Sequence, residues 1–172
     1  MTTGILYCCL PNLKHLPYYP SKDIESFFTY DHIATLKHSI ETLRKVCDLP
    51  VTLFTDKPEM FLDLDVNIER TPRRFDHASD KLEPLLLSPY DTTIYLDCDT
   101  EILVDPREMI DDQYELIACR ELQSILQGKK WLGYSSHINA GVFVYKNTTN
   151  MRRLLLESLM YSDQLHRENK LA

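Results

Sequence analysis

The feature that most constrains the fold is a series of four short apolar runs, at residues 4–10, 51–55, 92–96 and 141–145. Each run is continuous and rich in strand-forming residues, which is typical of a strand buried on both faces of a parallel sheet. Asp31 precedes a helix-like repeat and is a suitable cap for that helix. The repeat places apolar residues three and four positions apart, at Ile33, Leu36, Ile40, Leu43 and Val46.

Weaker patterns predict two further strands, at residues 65–69 and 115–119, a short helix at 78–87 that Pro84 bends or shortens, and a closing helix that Asn150 caps. Strands that alternate with helices predict an α/β architecture with a mainly parallel central sheet flanked by helices. The chain has 172 residues, a length that suits one domain over residues 1–172.

Composition excludes several classes of function. The net charge is −7, which does not suit non-specific binding to nucleic acid, because Lys and Arg must replace the counterions on the phosphates. The chain has four glycines and lacks the Gly-rich motifs of dinucleotide-binding folds and P-loop NTPases.

The sequence also bears on cellular location. No apolar run reaches the length of about 18 residues that spans a membrane, and the N-terminus lacks the basic region of a signal peptide. The spacing of the five cysteines fits no zinc site, so we expect reduced thiols in a cytoplasmic protein. These residues are Cys8, Cys9, Cys47, Cys98 and Cys119.

Two acidic residues, Asp97 and Asp99, follow the strand predicted at 92–96. If the backbone remains extended there, both carboxylates point to the same side. A divalent cation would relieve their repulsion, and Mg²⁺ or Mn²⁺ suits carboxylate, phosphate and water oxygens. The same pattern also occurs in solvated turns at strand ends. Leu10 and Asp56 follow two other predicted strands, and ligands of parallel sheets bind in the crevice at such ends.

The segment at residues 88–103 resembles the one that carries the DxD motif in GT-A glycosyltransferases, where a strand of the type "viYLDaD" delivers two aspartates. Further matches follow in the family's order. VTLFTD at 51–56 resembles the second strand, and Lys81 stands where many retaining members have Arg or Lys. NAGVFVY at 139–145 resembles "NAGVFVF", and Asp163-Gln164 resembles the "DQ" after the next helix. The likeness covers nearly the whole chain and is strongest to the family-8-type nucleotide-diphospho-sugar transferases.

The resemblance implies a single-domain, Rossmann-like GT-A fold and a metal-dependent glycosyltransferase of the hexosyltransferase type. Its donor would be a nucleoside-diphosphate sugar such as a UDP-sugar, and its acceptor is unknown. Mn²⁺ or Mg²⁺ held by Asp97 and Asp99 would bridge the diphosphate and stabilise its developing charge. Asp163 and Gln164 would contact the sugar or acceptor as catalytic residues. The residues implied in nucleotide-sugar binding are Leu10, Asp56, Lys81, Asp97, Cys98, Asn139, Ala140 and Gly141.

The sequence departs from the family near its C-terminus. Related transferases continue past the DQ helix to a His that completes the metal site and a Lys that contacts diphosphate. Here Ala172 is only eight residues beyond Gln164, and His166 does not match that motif. The chain is therefore expected to be a relative short at the C-terminus. Water, a residue elsewhere, a partner chain or a second copy in a homo-oligomer would complete its site.

Two alternatives remain beside the transferase. A nucleotide-sugar-binding module, or a partner-dependent subunit, would bind the same donor without independent turnover. A haloacid-dehalogenase-like phosphatase also places DxD after an apolar strand. That class has Thr or Val two positions after the second Asp, where this chain has Glu101. It also carries its motif near the N-terminus, whereas here the motif lies past the middle of the chain, so both features argue against the phosphatase.

Overall fold

Six β-strands form the centre of the computed structural model, which describes residues 1–11, 31–72, 78–120 and 138–168. The strands are β1 (Thr3–Cys8), β2 (Val51–Thr55), β3 (Asn67–Arg70), β4 (Thr92–Leu96), β5 (Leu116–Arg120) and β6 (Ile138–Lys146). The described helices are α1 (His32–Arg44), α2 (Leu82–Leu86) and α3 (Thr149–Arg167). Short 3₁₀ helices cover Pro58–Met60, Ala78–Lys81 and Pro106–Met109.

The sheet has the strand order β3-β2-β1-β4-β6-β5. Strands β1 to β4 pair in parallel, with Ile5 opposite Val51 and Thr3 opposite Thr92. Strand β6 runs antiparallel to both of its neighbours, β4 and β5. The predicted α/β architecture with a mainly parallel sheet is therefore confirmed.

Helices cover both faces of this sheet, which explains why its central strands are apolar on both sides. On one face, the α1 residues Leu36, Ile40 and Leu43 pack with alternate strand residues such as Ile5 and Ile94. On the other face, Leu85 of α2 and Met151 and Leu155 of α3 pack with Leu6, Tyr95 and Phe143. Full burial of each large apolar side chain stabilises the fold by about 1.5–3 kcal/mol, so both layers are needed.

One local prediction differs from the structure and another is confirmed. The N-cap of α3 is Thr148, whose side chain accepts a hydrogen bond from the backbone of Met151, so the expected cap at Asn150 is wrong by two residues. The helix predicted at 78–87 is shortened, as expected, to a 3₁₀ turn followed by the five-residue helix α2, because Pro84 has no N–H to donate within a longer helix.

Because of this topology, the ends of several strands lie at one edge of the sheet. Strands β1 to β4 all end there, because they are parallel. Strand β6 begins at the same edge, since it runs antiparallel to β4. The first residues of β6 therefore lie beside the residues that follow β4, and the backbone N–H of Asp97 donates to the carbonyl of Gly141 over 2.7 Å.

Candidate functional site

Asp97 is the central side chain at this edge. It follows β4 directly, and its carboxylate is 37% exposed. The oxygen Oδ1 accepts hydrogen bonds from the Tyr95 hydroxyl at 2.7 Å and from the Lys81 ammonium at 3.2 Å. Among the described residues nothing donates to Oδ2. The described residues thus hold one oxygen of Asp97 and supply no donor to the other.

Lys81 connects the start of α2 with the start of β6. Its ammonium pairs with Asp97, donates to the carbonyl of Ala140 over 2.9 Å, and lies 5.2 Å from the centre of the Tyr95 ring. The side chain is 20% exposed, so the charge is partly withdrawn from water. A partly desolvated ammonium attracts a phosphate oxygen more strongly than a fully hydrated one does.

The carbonyls of Ala140 and Gly141 both have partners within the site, since they accept from Lys81 and from the backbone of Asp97 respectively. Their observed contribution is to hold the two charged side chains in place. A carbonyl oxygen has a second lone pair, which remains suited to a sugar hydroxyl. The backbone of Asn139 belongs to β6, whereas its side chain lies outside the described residues.

Tyr95 was not among the residues predicted for the site. It is 1% exposed, and its ring stacks on Phe143 with centroids 4.9 Å apart. Burial and the neighbouring Asp97 carboxylate raise the pKa of Tyr95 well above its usual value, so the hydroxyl keeps its proton and donates. The sequence did contain a signal, because residues two apart in a strand share a face and Tyr95 precedes Asp97 by two.

Asp99 has a different environment from Asp97. It is exposed, and none of the described residues forms a hydrogen bond or ion pair with its carboxylate. The backbone is not extended between the two aspartates, because β4 ends at Leu96 and the N–H of Thr100 donates to the carbonyl of Asp97 over 3.1 Å. Of the extended segment and the turn that the sequence left open at 97–99, the structure has the turn, and the relative position of the carboxylates follows from it.

The donor set at this turn suits a hard divalent cation. Asp97 and Asp99 offer carboxylate oxygens that have no protein partner among the described residues, and Mg²⁺ commonly takes one or two carboxylates plus substrate phosphates. Within the described ranges there is no group of three or more His, Cys, Asp or Glu placed to hold a metal. With only these two carboxylates among the described residues, any metal here would need a bound diphosphate and water to complete its coordination.

Cys98 lies between the two aspartates, and its thiol contacts the carbonyl of Cys8 at 3.2 Å. The Cys9 thiol and burial raise the pKa of Cys98 well above its usual value. Burial also raises the pKa of Cys8 strongly. The contact between the Cys98 thiol and the Cys8 carbonyl links the turn to the end of β1.

Leu10 and Asp56 follow β1 and β2 at the same edge of the sheet, as the sequence predicted. Leu10 is buried, so only its backbone could meet a ligand. Asp56 is half-buried, and its carbonyl accepts a hydrogen bond from Arg70 over 2.9 Å. These two residues border the edge, and the contacts of Lys81 and Asp97 described above do not involve them.

Asp163 and Gln164 lie in the last turns of α3. Asp163 is 19% exposed, with its Oδ2 at 4.0 Å from the Arg167 guanidinium. Gln164 is exposed and donates to Glu168 on its own helix over 2.8 Å. His166 Nε2 lies 3.3 Å from Ser79 Oγ, two residues before Lys81. This contact brings the end of α3 beside the segment that carries Lys81, and no pattern in the sequence indicated it.

A separate groove of about 470 Å³ lies near the start of β2, at the opposite edge of the sheet. Arg44 and Arg107 line it, but their guanidinium groups already bind the Leu49 and Asp65 carbonyls and the Asp48 and Asp105 carboxylates. The lining also includes the carboxylates of Asp48 and Asp65, so the groove has no net positive charge to attract a nucleotide phosphate. Among the described helices, none is long and apolar enough to cross a membrane.

No protein-family model matches this chain, and no curated protein matches it. Solved structures do match. One is the galactosyltransferase LgtC in complex with donor and acceptor sugar analogues, with a TM-score of 0.61 and 13% identity over 98% of this chain and 66% of that one. Another is the glycosyltransferase GlyE of Streptococcus pneumoniae, with a TM-score of 0.60 and 13% identity over 99% of this chain and 40% of that one.

The fold is therefore GT-A-like. A 4-diphosphocytidyl-2C-methyl-D-erythritol synthase from Anaerococcus prevotii also matches, with a TM-score of 0.50 and 10% identity over 92% of this chain and 75% of that one. This chain spans less than two thirds of the length of the two glycosyltransferase chains. At such low identity these similarities concern the fold, and the chemistry depends on this chain's own residues.

Proposed function

We propose that this chain is a metal-dependent glycosyltransferase of the family-8 type, which takes its sugar from a nucleoside diphosphate, with a UDP-sugar as the first donor to test. The observation that carries the proposal is the cluster of Asp97, Lys81 and the first residues of β6 at the carboxyl edge of the sheet. Ligands of open α/β sheets bind at this edge, and the fold is shared with two glycosyltransferases.

The chemistry of sugar transfer explains why such a cluster is useful. When the bond between the anomeric carbon and phosphate breaks, negative charge develops on the nucleoside diphosphate. Asp97 and Asp99 would hold Mn²⁺ or Mg²⁺, whose positive charge would stabilise the leaving nucleoside diphosphate. Lys81 donates hydrogen bonds and adds its own charge from the α2 side. Asp163 and Gln164, at the end of α3, are proposed to contact the sugar or the acceptor.

The second candidate is a nucleotide-sugar-binding module that needs a partner for turnover. What favours it is that the metal has only two carboxylates available among the described residues, with no third His, Cys, Asp or Glu placed to join them. Water, another chain or a second copy of this one would then complete the site.

The cytoplasmic location also stays a prediction.

A thermal-shift screen tests the proposal. UDP and other nucleoside diphosphates are added with and without Mn²⁺, because a ligand that binds the native state stabilises it by about 2.7 kcal/mol at 100 times its Kd. For a chain of this size that corresponds to a rise in melting temperature of about 5–10 °C. Asp97→Asn and Asp99→Asn should remove the metal-dependent part of the shift. Asp65→Asn is the matched control, since Asp65 is an exposed carboxylate outside the cluster.

Turnover then separates the two candidates. Release of UDP from a UDP-sugar with Mn²⁺, by transfer or hydrolysis, would identify an enzyme, whereas a donor-dependent shift without any release would identify a binding module. If no nucleoside diphosphate raises the melting temperature, or if both aspartate variants keep the metal-dependent shift, the proposal is wrong.

A further inference from the structure

The hydrogen bonds to Asp97 are unequally divided between its two oxygens. Tyr95 and Lys81 both donate to Oδ1, and among the described residues none donates to Oδ2. A carboxylate held at one oxygen cannot rotate freely about its χ2 torsion, so its second oxygen has a fixed direction. Binding of a cation to this second oxygen then costs less side-chain conformational entropy.

The two donors differ in what they do to an incoming cation. Lys81 carries a full positive charge, which repels a metal ion at the same carboxylate. Tyr95 is neutral and holds Oδ1 at 2.7 Å without such repulsion. The hydroxyl therefore orients the carboxylate without opposing the metal.

The ring of Tyr95 is itself held firmly. It is 1% exposed, and it stacks on Phe143, its neighbour across the β4–β6 pair, with the ring planes 27° apart. The Lys81 ammonium lies over the same ring, 5.2 Å from its centre. Because the backbone, the stacking and the burial all fix this ring, the hydroxyl has one position, which is on Asp97.

We infer that Tyr95 is a positioning residue for the metal site, whose hydroxyl fixes Oδ1 of Asp97 and leaves Oδ2 as the oxygen that binds the cation. The inference rests on the proposed function. Partners that orient a metal ligand from outside the coordination sphere typically contribute about 10- to 100-fold to metal affinity. Tyr95 would act through Asp97 and would touch neither the metal nor the sugar.

Tyr95→Phe tests this role, because it removes the hydroxyl and keeps the ring with its stacking. The Kd of Mn²⁺ is measured by the electron paramagnetic resonance signal of free Mn²⁺, with the metal alone and with saturating UDP. We expect the Kd to rise at least about tenfold in Tyr95→Phe. Tyr145→Phe is the matched control, because Tyr145 is an equally buried tyrosine in the same layer whose hydroxyl donates to the carbonyl of Leu85. Its Kd should stay close to that of the wild type.

One condition and one further measurement separate orientation from stability. The titrations are carried out with an excluded osmolyte, which favours the folded state of all variants. In an Asp97→Asn background, adding Tyr95→Phe should cause no further loss of Mn²⁺ binding, because the oriented carboxylate is already gone. An additional loss in that background would show that Tyr95 acts by another route.

The outcomes distinguish this inference from the proposed function. If the wild type binds no Mn²⁺ with or without UDP, both are wrong. If the wild type binds Mn²⁺ and Tyr95→Phe binds it equally well, the positioning role is wrong and the proposed function stands. Equal weakening in Tyr95→Phe and Tyr145→Phe would also overturn the inference, since loss of packing would then explain it.

Discussion

Replacing Lys81 by Met tests the electrostatics of the site most directly. The substitution keeps a long apolar side chain against the Tyr95 ring and removes only the ammonium. That ammonium has two polar partners, Asp97 Oδ1 at 3.2 Å and the carbonyl of Ala140 at 2.9 Å. Its loss leaves Asp97 with the Tyr95 hydroxyl as its remaining hydrogen-bond donor among the described residues.

The effect on stability follows from the distance and the exposure of the pair. Unit charges 3.2 Å apart attract by about 5 kcal/mol at an effective dielectric constant of about 20. The Asp97 carboxylate is 37% exposed, so solvent screening and the desolvation of Lys81 offset most of this attraction. We expect the free energy of unfolding to fall by about 1–2 kcal/mol, which lowers the melting temperature of a 172-residue chain by about 2–8 °C.

The Lys81→Met substitution should change the effects of Mn²⁺ and UDP on the melting temperature in opposite directions. Without Lys81, a cation no longer meets a like charge at Asp97, so the rise in melting temperature that Mn²⁺ alone produces should be larger than in the wild type. A nucleoside diphosphate loses a cationic donor, so the further rise from UDP in the presence of Mn²⁺ should be smaller. Differential scanning fluorimetry measures both quantities in one experiment.

Lys45→Met is the control for this prediction, because Lys45 is an exposed lysine just after α1 and its removal changes the net charge equally. It should leave both ligand effects unchanged. The reasoning is refuted if Lys81→Met has the melting temperature of the wild type without ligand, or if it weakens the effect of Mn²⁺ alone.

Three other substitutions test separate parts of the structure. Gly4→Ala should lower the free energy of unfolding by about 1–3 kcal/mol in urea denaturation, because a Cβ at Gly4 would overlap the buried ring of Tyr90; an unchanged midpoint would contradict this packing. Asp91 accepts hydrogen bonds from the backbone and hydroxyl of Thr2, and these bonds lower the pKa of Asp91. Its contribution to the free energy of unfolding is therefore present above the usual pKa of about 4 and is lost as the pH falls through the lowered pKa. Asp91→Asn should therefore melt below the wild type at pH 7 and converge with it in acid, and a gap that persists at low pH would refute the assignment. Asp163→Asn should slow sugar transfer by about 100-fold while the UDP-dependent thermal shift is kept, and loss of the shift instead would place Asp163 in donor binding.

The sequence predicted the parts of the fold that are specified locally. Strands β2 and β4 have the predicted bounds because each is a continuous apolar run between turn residues. The helix cap at Asp31 is also correct, since its carboxylate accepts from the backbone of Ile33 and Ala34. The cap of α3 was misplaced because Thr148 and Asn150 are both good capping residues, and only the packing of Met151 and Leu155 decides between them.

The site was predictable only in part, because its contacts join residues far apart in sequence. The pair of Lys81 and Asp97 spans 16 residues, and the bond from Lys81 to Ala140 spans 59. Family resemblance marked each of these residues, but no periodicity in the sequence indicated that they touch. The turn at 97–100 was one of two arrangements that the sequence left open, and the hydrogen bond from Thr100 to Asp97, which ends the extended backbone immediately after the strand, decides between them.

The turn makes the two aspartates unequal, and this inequality suits the proposed chemistry. Asp97 is held through its backbone N–H by Gly141 and through Oδ1 by Tyr95 and Lys81. Asp99 is exposed and has no hydrogen bond or ion pair with any described residue. Under the proposed function, a rigid first carboxylate would fix where a cation binds, whereas an exposed second one would adjust as the diphosphate arrives and leaves. Two rigid carboxylates would hold the metal more tightly but would oppose release of the nucleoside diphosphate, so one fixed and one adjustable ligand would suit turnover better.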